Sequence, residues 1–244
     1  MRLRIGSLSS LPCLFRVAPT ARASSNRFEA SATSLSTRTG SWLEDFIRRS
    51  LDVIFAAMGL ICLSPLFVVI GLAVKIEDGG AIFYSHTRVG RNFSRFGLLK
   101  FRTMVPNADR MGGPVTVAGD ARVTRTGRFL RRYKLDELPQ LLNVLRGQIS
   151  LVGPRPESER YVSMFHAQYS PILLHRPGIT DPATLAFRDE ESLLQGGDTE
   201  ALYIEEILPR KLQLSAKYLE QRTLVSDMKI ILQTVLRIAR APGA

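Results

Sequence analysis

The apolar residues of this chain are most concentrated in one segment. Residues 53–74 read VIFAAMGLICLSPLFVVIGLAV, 22 residues without a charged side chain. About 20 such residues suffice for a helix to cross the hydrocarbon core of a bilayer. Ser64–Pro65 lies at the middle, where proline removes a backbone hydrogen bond and bends the helix. The pattern predicts a membrane helix broken at Ser64 and Pro65, with the Ser64 hydroxyl beside the freed carbonyl groups.

Both flanks of the apolar segment are basic. Arg48 and Arg49 precede it and Lys75 follows it. Cytoplasmic flanks attract Lys and Arg, so basic residues on both sides disfavour moving either end across the membrane. We therefore predict a re-entrant helix-break-helix hairpin over residues 41–76. A kinked but complete transmembrane helix is the alternative.

After this segment the pattern changes to that of a cytoplasmic domain, predicted over residues 77–240. Asp136–Leu145 has leucines at helical spacing, and Gly147 is expected to end this helix. The predicted fold is α+β and predominantly helical, with amphipathic helices at the membrane interface. Its other predicted elements are strands Ala81–Ser85 and Phe96–Phe101, the loop Met111–Gly119, and helices Glu200–Lys217 and Leu219–Arg240.

Residues 1–40 are rich in Ser, Ala, Thr and Arg, with Glu29 as the one acid. Such a composition predicts a disordered basic leader. It also resembles an organellar transit peptide, and an over-extended gene start is a further alternative. The two cysteines lie far apart without a CxxC motif, which favours a reducing compartment over a disulfide or zinc framework.

The net charge is +11, and most of it falls between His86 and Leu135. Twelve Lys or Arg residues in that stretch are opposed by Asp109 and Asp120 alone. Such an excess predicts an anionic partner: nucleic acid, anionic lipid or a phosphorylated small molecule. Charge by itself does not choose among these.

Asp136 and Glu137 form an acidic pair directly after this basic stretch. Acids at a helix N-terminus commonly cap free N–H groups, which is the simpler interpretation. The same cations would also keep a carboxylate ionised, so that it could attack phosphorus or hold Mg²⁺. The residues alone leave both interpretations open.

Three further cations are candidates for phosphate binding. Two prolines fix the backbone around Arg155, whose planar guanidinium matches phosphate oxygens, although a rigid turn with a solvated Arg is an equal alternative. Lys100 and Arg102 are expected on one face of a strand, which could equally be a plain surface face.

Three motifs carry a family resemblance: KFRTM at 100–104, TRTGRFLRRYKLDELPQLLNVLRGQISLVGPRP at 124–156, and RPGIT at 176–180. Together they resemble the bacterial sugar transferase family, the monotopic polyprenyl-phosphate phosphoglycosyl transferases, from about residue 41 to 237. The broken segment and its preceding arginines correspond as well. The chain looks like a minimal form, without the extra N-terminal membrane helices of larger relatives.

The resemblance implies an activity and its residues. Asp136 would attack the β-phosphate of a UDP-sugar, release UMP and form an acyl-phosphate. Polyprenyl phosphate would then accept the sugar-1-phosphate, at the cytoplasmic face of the bacterial inner membrane. Glu137 would bind Mg²⁺. The implied substrate-binding residues are Arg131, Arg155, Lys100, Arg102 and, after the RPGIT motif, Arg188.

The chain departs from the family pattern at two places. Asp181-Pro182-Ala183-Thr184 stands where Gly-x-Ala-Gln is common, and Ser215 corresponds to a family aspartate. Both departures bear on sugar specificity more than on reaction type.

Two non-enzymatic interpretations remain for comparison. A nucleic-acid binder would leave the apolar segment unexplained, and known nucleic-acid motifs are missing from the sequence, so no nucleic-acid partner is expected. A membrane scaffold in contact with lipids would leave the acidic pair unexplained.

Overall fold

The computed structural model describes residues 42–111, 116–117, 119–194 and 198–239. The predicted leader, residues 1–40, lies outside these ranges, as does the centre of the predicted loop at 111–119. The described residues form many helices and two small sheets. This confirms the α+β, predominantly helical prediction.

Two consecutive helices form the apolar segment: α1, Trp42–Cys62, and α2, Ser64–Asp78. Because Pro65 has no N–H, the carbonyl of Ile61 loses its helical donor. The Ser64 hydroxyl donates to that carbonyl instead, over 2.8 Å. The two helices are interrupted at Leu63, and Ser64 and Pro65 form the first turn of α2. Taken together, Trp42–Asp78 is long and apolar enough to cross a membrane.

An antiparallel hairpin follows, made of β1, Phe83–Val89, and β2, Arg95–Phe101. The first strand was predicted at Ala81–Ser85. In the structure it begins two residues later, at Phe83, and ends four residues later, at Val89. The second strand agrees with its prediction to within one residue. Asn92 adopts the left-handed conformation in the connection, with φ of 54°.

The second sheet was not predicted. It pairs β3, Ser150–Val152, in parallel with β4, Gly178–Thr180. Three residues are too few for a period-two pattern to be recognised. The backbones approach so closely that a Cβ on Gly178 would lie 2.1 Å from the nitrogen of Gly153.

The predicted helix Asp136–Leu145 is shorter in the structure. Helix α3, Arg125–Arg132, is followed by a 3₁₀ turn at Leu135–Glu137, and helix α4 covers only Gln140–Leu145. Pro139 lacks an N–H, so it precedes the regular helix instead of lying within it. Gly147, at φ of 77°, ends the segment as predicted.

The remaining helices form the C-terminal part of the domain. The predicted helix Glu200–Lys217 is confirmed as a nearly continuous unit in which a π-helical turn, Tyr203–Ile207, joins two α-helices. The predicted helix Leu219–Arg240 starts later, at Leu224. The helices are α5 Glu159–Met164, α6 His166–Ile172, α7 Pro182–Ala186, α8 Glu190–Leu193, α9 Thr199–Leu202, α10 Leu208–Glu220 and α11 Leu224–Ala239.

Both helices of the apolar segment pack on this domain. Ala56 of α1 belongs to a buried cluster that includes Leu98 and Val144. Ile70 of α2 belongs to another cluster, with Phe101 of β2. Leu98 and Phe101 both belong to strand β2, so this strand packs with both halves of the broken helix. Lys100 lies between Leu98 and Phe101 in the sequence.

Candidate active site

The acidic pair is presented by a strained turn. Lys134 adopts the left-handed conformation, with φ of 55°, immediately before the 3₁₀ turn that carries Asp136 and Glu137. This conformation is costly for a residue with a Cβ, so packing of the surrounding elements must hold it. Asp136 is only 5% exposed. Among the described residues its Oδ1 has no hydrogen-bond partner, although it is buried.

Neither carboxylate caps a helix, which overturns the capping interpretation. The N-cap position of α4 belongs to Pro139, and no side chain accepts from its first turn. The physical reason is the 3₁₀ turn, which places the acids three and four residues before the helix and not at its N-cap position. A buried, unpartnered carboxylate oxygen carries a desolvation cost, and such costs are typical of functional sites.

Glu137 is held by two cations from different elements. Arg155 donates through Nη1 to Oε2 over 3.1 Å, and through Nη2 to Oε1. Lys100 Nζ donates to Oε1 over 3.3 Å. Lys100 also lies 3.9 Å from Oδ2 of Asp136. The two-point contact with Arg155 fixes the plane of the Glu137 carboxylate.

The two acids have opposite electrostatic environments. Burial raises the pKa of Asp136, and Lys100 counteracts this only in part while Glu137 adds to it. Burial also opposes ionisation of Glu137, but Arg155 and Lys100 outweigh it and hold the pKa of Glu137 well below its usual range. Burial lowers the pKa of Lys100, against the pull of both carboxylates. The surroundings therefore favour the ionised form of Glu137 and disfavour the ionised form of Asp136.

Arg155 is positioned by the loop that follows β3. Two residues on, Glu157 accepts from Arg88 of β1 and, over 2.7 Å, from the hydroxyl of Tyr203. Burial opposes ionisation of Glu157, but Arg88 and Lys211 lower its pKa to about 2. This buried ion pair ties the loop to the hairpin that carries Lys100.

Of the other predicted cations, Arg131 lies at this site, whereas Arg102 and Arg188 have partners outside it. Arg131 lies close enough to lower the pKa of Asp136, and its Nε donates to the Thr103 hydroxyl over 2.9 Å. Arg102 follows the end of β2 and so leaves the face that carries Lys100. It pairs with Asp78 at the end of α2.

Arg188 donates to the carbonyl of Arg237 at the end of α11. Arg188 Nη1 is thereby bound to the C-terminal helix, and its Nη2 is buried without a hydrogen-bond partner among the described residues. The structure brings Lys100, Arg131 and Arg155 to the acidic pair, and gives Arg102 and Arg188 other partners.

Residues of the site that sequence reasoning did not single out include Lys134 and Glu157. A left-handed conformation at a lysine has no sequence signal, because Gly or Asn is the usual indicator. The partner of Glu157 is 69 residues away at Arg88, which no local pattern reveals. Gln140 belongs to the LDELPQ motif, which by itself indicates no role for this side chain.

The two departures from the family pattern are in contact. Ser215 donates to Oδ2 of Asp181 over 2.6 Å, and Asp181 caps α7 by accepting from Thr184 N over 2.7 Å. Ser215 and Arg155 both line a small cavity of about 20 Å³, enough for about one water molecule. Ser215 thus shares the lining of a small cavity with the arginine that holds Glu137.

The donor set at the acidic pair fits Mg²⁺. This ion usually binds through one or two carboxylates completed by phosphate oxygens and water. The remaining lone-pair capacity of Glu137 Oε2 meets that requirement. The described parts of the chain contain no cluster of three ligating side chains, so a complete protein cage is not present there.

Comparison with known proteins places the chain in a family. The model of the family described as bacterial sugar transferase matches residues 43–241. The exopolysaccharide production protein ExoY of Sinorhizobium fredii is 34% identical over 212 residues, covering 81% of this chain and 87% of that protein. A UDP-glucose:undecaprenyl-phosphate glucose-1-phosphate transferase of Caulobacter vibrioides is 38% identical, covering 78% and 69%.

A third relative is larger. The undecaprenyl-phosphate galactose phosphotransferase of Salmonella typhimurium is 34% identical over 218 residues, which cover 82% of this chain and 42% of that protein. The family match includes the broken helix, the hairpin and every residue of the acidic site. This chain belongs to the bacterial sugar transferase family.

Proposed function

We propose that this chain is a membrane-associated phosphoglycosyl transferase. It moves a sugar-1-phosphate from a UDP-sugar to polyprenyl phosphate and releases UMP, as the initiating step of exopolysaccharide, capsule, O-antigen or glycoprotein glycan synthesis. The observation that carries the proposal is Asp136, a buried carboxylate with an unpartnered oxygen amid three cations. The names of relatives, which specify undecaprenyl phosphate and glucose or galactose, support the substrate classes.

The reaction proceeds in two displacements at one phosphorus atom. Asp136 Oδ1 attacks the β-phosphorus of the UDP-sugar, the new O–P bond forms, and the bridging P–O bond breaks with its electron pair leaving on UMP. An oxygen of polyprenyl phosphate then attacks the same phosphorus. The Asp136 carboxylate is regenerated and a polyprenyl-diphosphate sugar is formed.

Burial favours this use of Asp136. A carboxylate that is destabilised as an anion gains when its charge passes to a phosphoryl group. Lys100 lies on the Oδ2 side of Asp136, at 3.9 Å, and leaves Oδ1 free to attack. Arg131 and Arg155 offer planar donors for the phosphate oxygens.

Glu137 has a separate task. Because Arg155 and Lys100 keep it ionised, it can hold Mg²⁺ together with phosphate oxygens of the donor. When bound, Mg²⁺ offsets the charge of the diphosphate. Arg102 and Arg188, which the resemblance also assigns to substrate, have other partners, and we assign to Arg102 the anchoring of α2 through Asp78.

A re-entrant arrangement of α1 and α2 is part of the proposal. At the start of α1, Arg49 donates to the carbonyls of Val144 and Leu145 over 2.7 and 3.1 Å. At the end of α2, Glu77 accepts from the amide of Arg125 over 2.8 Å. Both ends of the segment thus bind one small domain, which supports placing both on the cytoplasmic side of the inner membrane.

Exposed apolar side chains support contact with lipid. On α11 they recur at helical spacing and make its outer face apolar. The exposed apolar residues of the broken helix and α11 include Ile54, Phe55, Met58, Ile61, Val68, Val69, Leu72, Ile76, Val225, Met228, Leu232, Val235 and Leu236.

The activity is tested by UMP release from membranes that contain the protein. UDP-glucose, UDP-galactose and UDP-N-acetylgalactosamine are supplied with polyprenyl phosphate and Mg²⁺. We expect multiple turnovers with at least one donor, a loss of turnover after chelation of Mg²⁺, and none with Asp136→Asn. Normal turnover by Asp136→Asn would remove the nucleophile assignment.

Topology is tested by cysteine labelling in a background of Cys13→Ser and Cys62→Ala. Single cysteines replace Trp42 and Ile76, which are both highly exposed at opposite ends of the segment. A membrane-impermeant thiol reagent should label both only after the membrane is opened to the cytoplasmic side. Labelling of one position from each side would mean that the segment spans the membrane.

A further inference from the structure

Helix α4 carries two buried amide side chains, and their hydrogen bonding differs. Asn143 is fully buried and makes three hydrogen bonds: it accepts from Leu99 N over 3.0 Å and donates to Gly97 O and Gln148 Oε1 over 2.8 and 2.6 Å. Gln140 lies one turn earlier on the same face and is only 1% exposed. Its Nε2 has no hydrogen-bond partner among the described residues.

A buried donor without a partner destabilises a fold, so its presence needs a reason. Gln140 lies on the side of Asn143 that is closer to the acidic pair, three residues after Glu137. The Oδ1 atom of Asp136 is likewise buried and unpartnered. Among the described residues, one free acceptor and one free donor thus occur within five positions of the sequence, and Lys100 lies 3.9 Å from the other carboxylate oxygen of Asp136.

We propose that Gln140 is a substrate-binding catalytic residue whose Nε2 donates to a non-bridging oxygen of the phosphoryl group attacked by Asp136. This inference rests on the proposed function. During attack the Oδ1–P bond forms as the bond to UMP breaks, and negative charge on the phosphoryl oxygens must be stabilised. A donor without a protein partner has no hydrogen bond to break when it takes this role.

The test is Gln140→Met, which keeps the length of the side chain and removes the donor. The readouts are single-turnover UMP release, with the best UDP-sugar and Mg²⁺ but without polyprenyl phosphate, and the melting temperature of the purified protein in detergent. The rate should fall about 100-fold, as for loss of one oxyanion donor. The melting temperature should rise by about 2 °C or more, because an unpartnered buried amide is removed.

Asn143→Leu is the matched control from the same helix face. It removes an amide whose hydrogen bonds are all made, so its melting temperature should fall. If Gln140→Met also lowers the melting temperature, Gln140 is structural and the inference is overturned. An unchanged rate of UMP release would overturn it equally, whatever the melting temperature.

Failure of the inference and of the proposed function are separable. If the unaltered protein releases no UMP from any donor in the panel, the proposed function fails. If it releases UMP and Gln140→Met does so at the same rate, the proposed function stands and only the role of Gln140 is refuted. Gln140→Leu repeats the comparison with a second side chain that lacks the donor.

Discussion

Replacing Glu157 with Gln removes the charge that ties the Arg155 loop to the hairpin. Arg88 and Lys211 lower the pKa of Glu157 from 4.5 to about 2 against the opposing effect of burial. Each pKa unit corresponds to about 1.4 kcal/mol, so the ionised carboxylate contributes about 3 kcal/mol of folding free energy at neutral pH. We expect Glu157→Gln to lower the free energy of unfolding by about that amount at pH 7.

The sign of the pH dependence follows from the lowered pKa. Stability from a depressed carboxyl pKa is fully present above the unfolded value of 4.5 and is lost as the pH falls towards 2. The difference between the two proteins should therefore shrink from about 3 kcal/mol at pH 7 to less than half of that at pH 3.

The assay is urea unfolding in detergent, followed by far-ultraviolet circular dichroism at a series of pH values. Glu159→Gln is the control, because Glu159 pairs with Arg95 at the surface, where both side chains are more than half exposed. Such pairs contribute less than about 1 kcal/mol. A difference for Glu157→Gln that is equal at pH 7 and pH 3 would refute the reasoning.

Substitutions at Lys100 and Lys134 address the acidic turn, and one at Arg49 addresses α1. Lys100→Met should move the acid limb of the pH–rate profile for UMP release to higher pH, because Lys100 lowers the raised pKa of Asp136, which must be ionised to attack. Lys134→Gly should raise the free energy of unfolding by about 1 kcal/mol in urea melts by relieving the left-handed strain, and Lys134→Val should lower it. Arg49→Met should lower the same quantity by about 2 kcal/mol, because two charge-assisted hydrogen bonds are lost.

Local features of the fold were predictable where they depend only on the chemistry of a few neighbouring residues. Pro65 determines the break because it lacks an N–H, and Ser64 is the nearest donor to the freed carbonyl. The β1–β2 hairpin follows from alternation and turn residues. In contrast, β3 and β4 are only three residues each, which is too short for a hydrophobic pattern to reveal them. They can pair because Gly153 and Gly178 let the two backbones approach closely.

The acidic site was predictable as a set of residues but not as an arrangement. The family resemblance singled out Asp136, Glu137 and Arg155, whereas the residues alone left helix capping as an alternative. The ion pair between Glu137 and Arg155 spans 18 residues, and the contact with Lys100 spans 37. These contacts depend on the packing of α4 and the β3 loop around β2, which no local pattern contains. Arg102 does not share the face of Lys100, because β2 ends at Phe101, one residue before Arg102.

The central claim is that Asp136 becomes covalently bonded to the sugar-phosphate. Its most direct test is mass spectrometry of peptides after the protein is mixed with its preferred UDP-sugar and Mg²⁺ in the absence of polyprenyl phosphate, then quenched in acid. We predict a mass increase equal to one phosphosugar on the peptide that contains Asp136, which disappears when polyprenyl phosphate is added before quenching. An unmodified Asp136 peptide, in a sample that turns over UDP-sugar when the acceptor is present, would contradict the account.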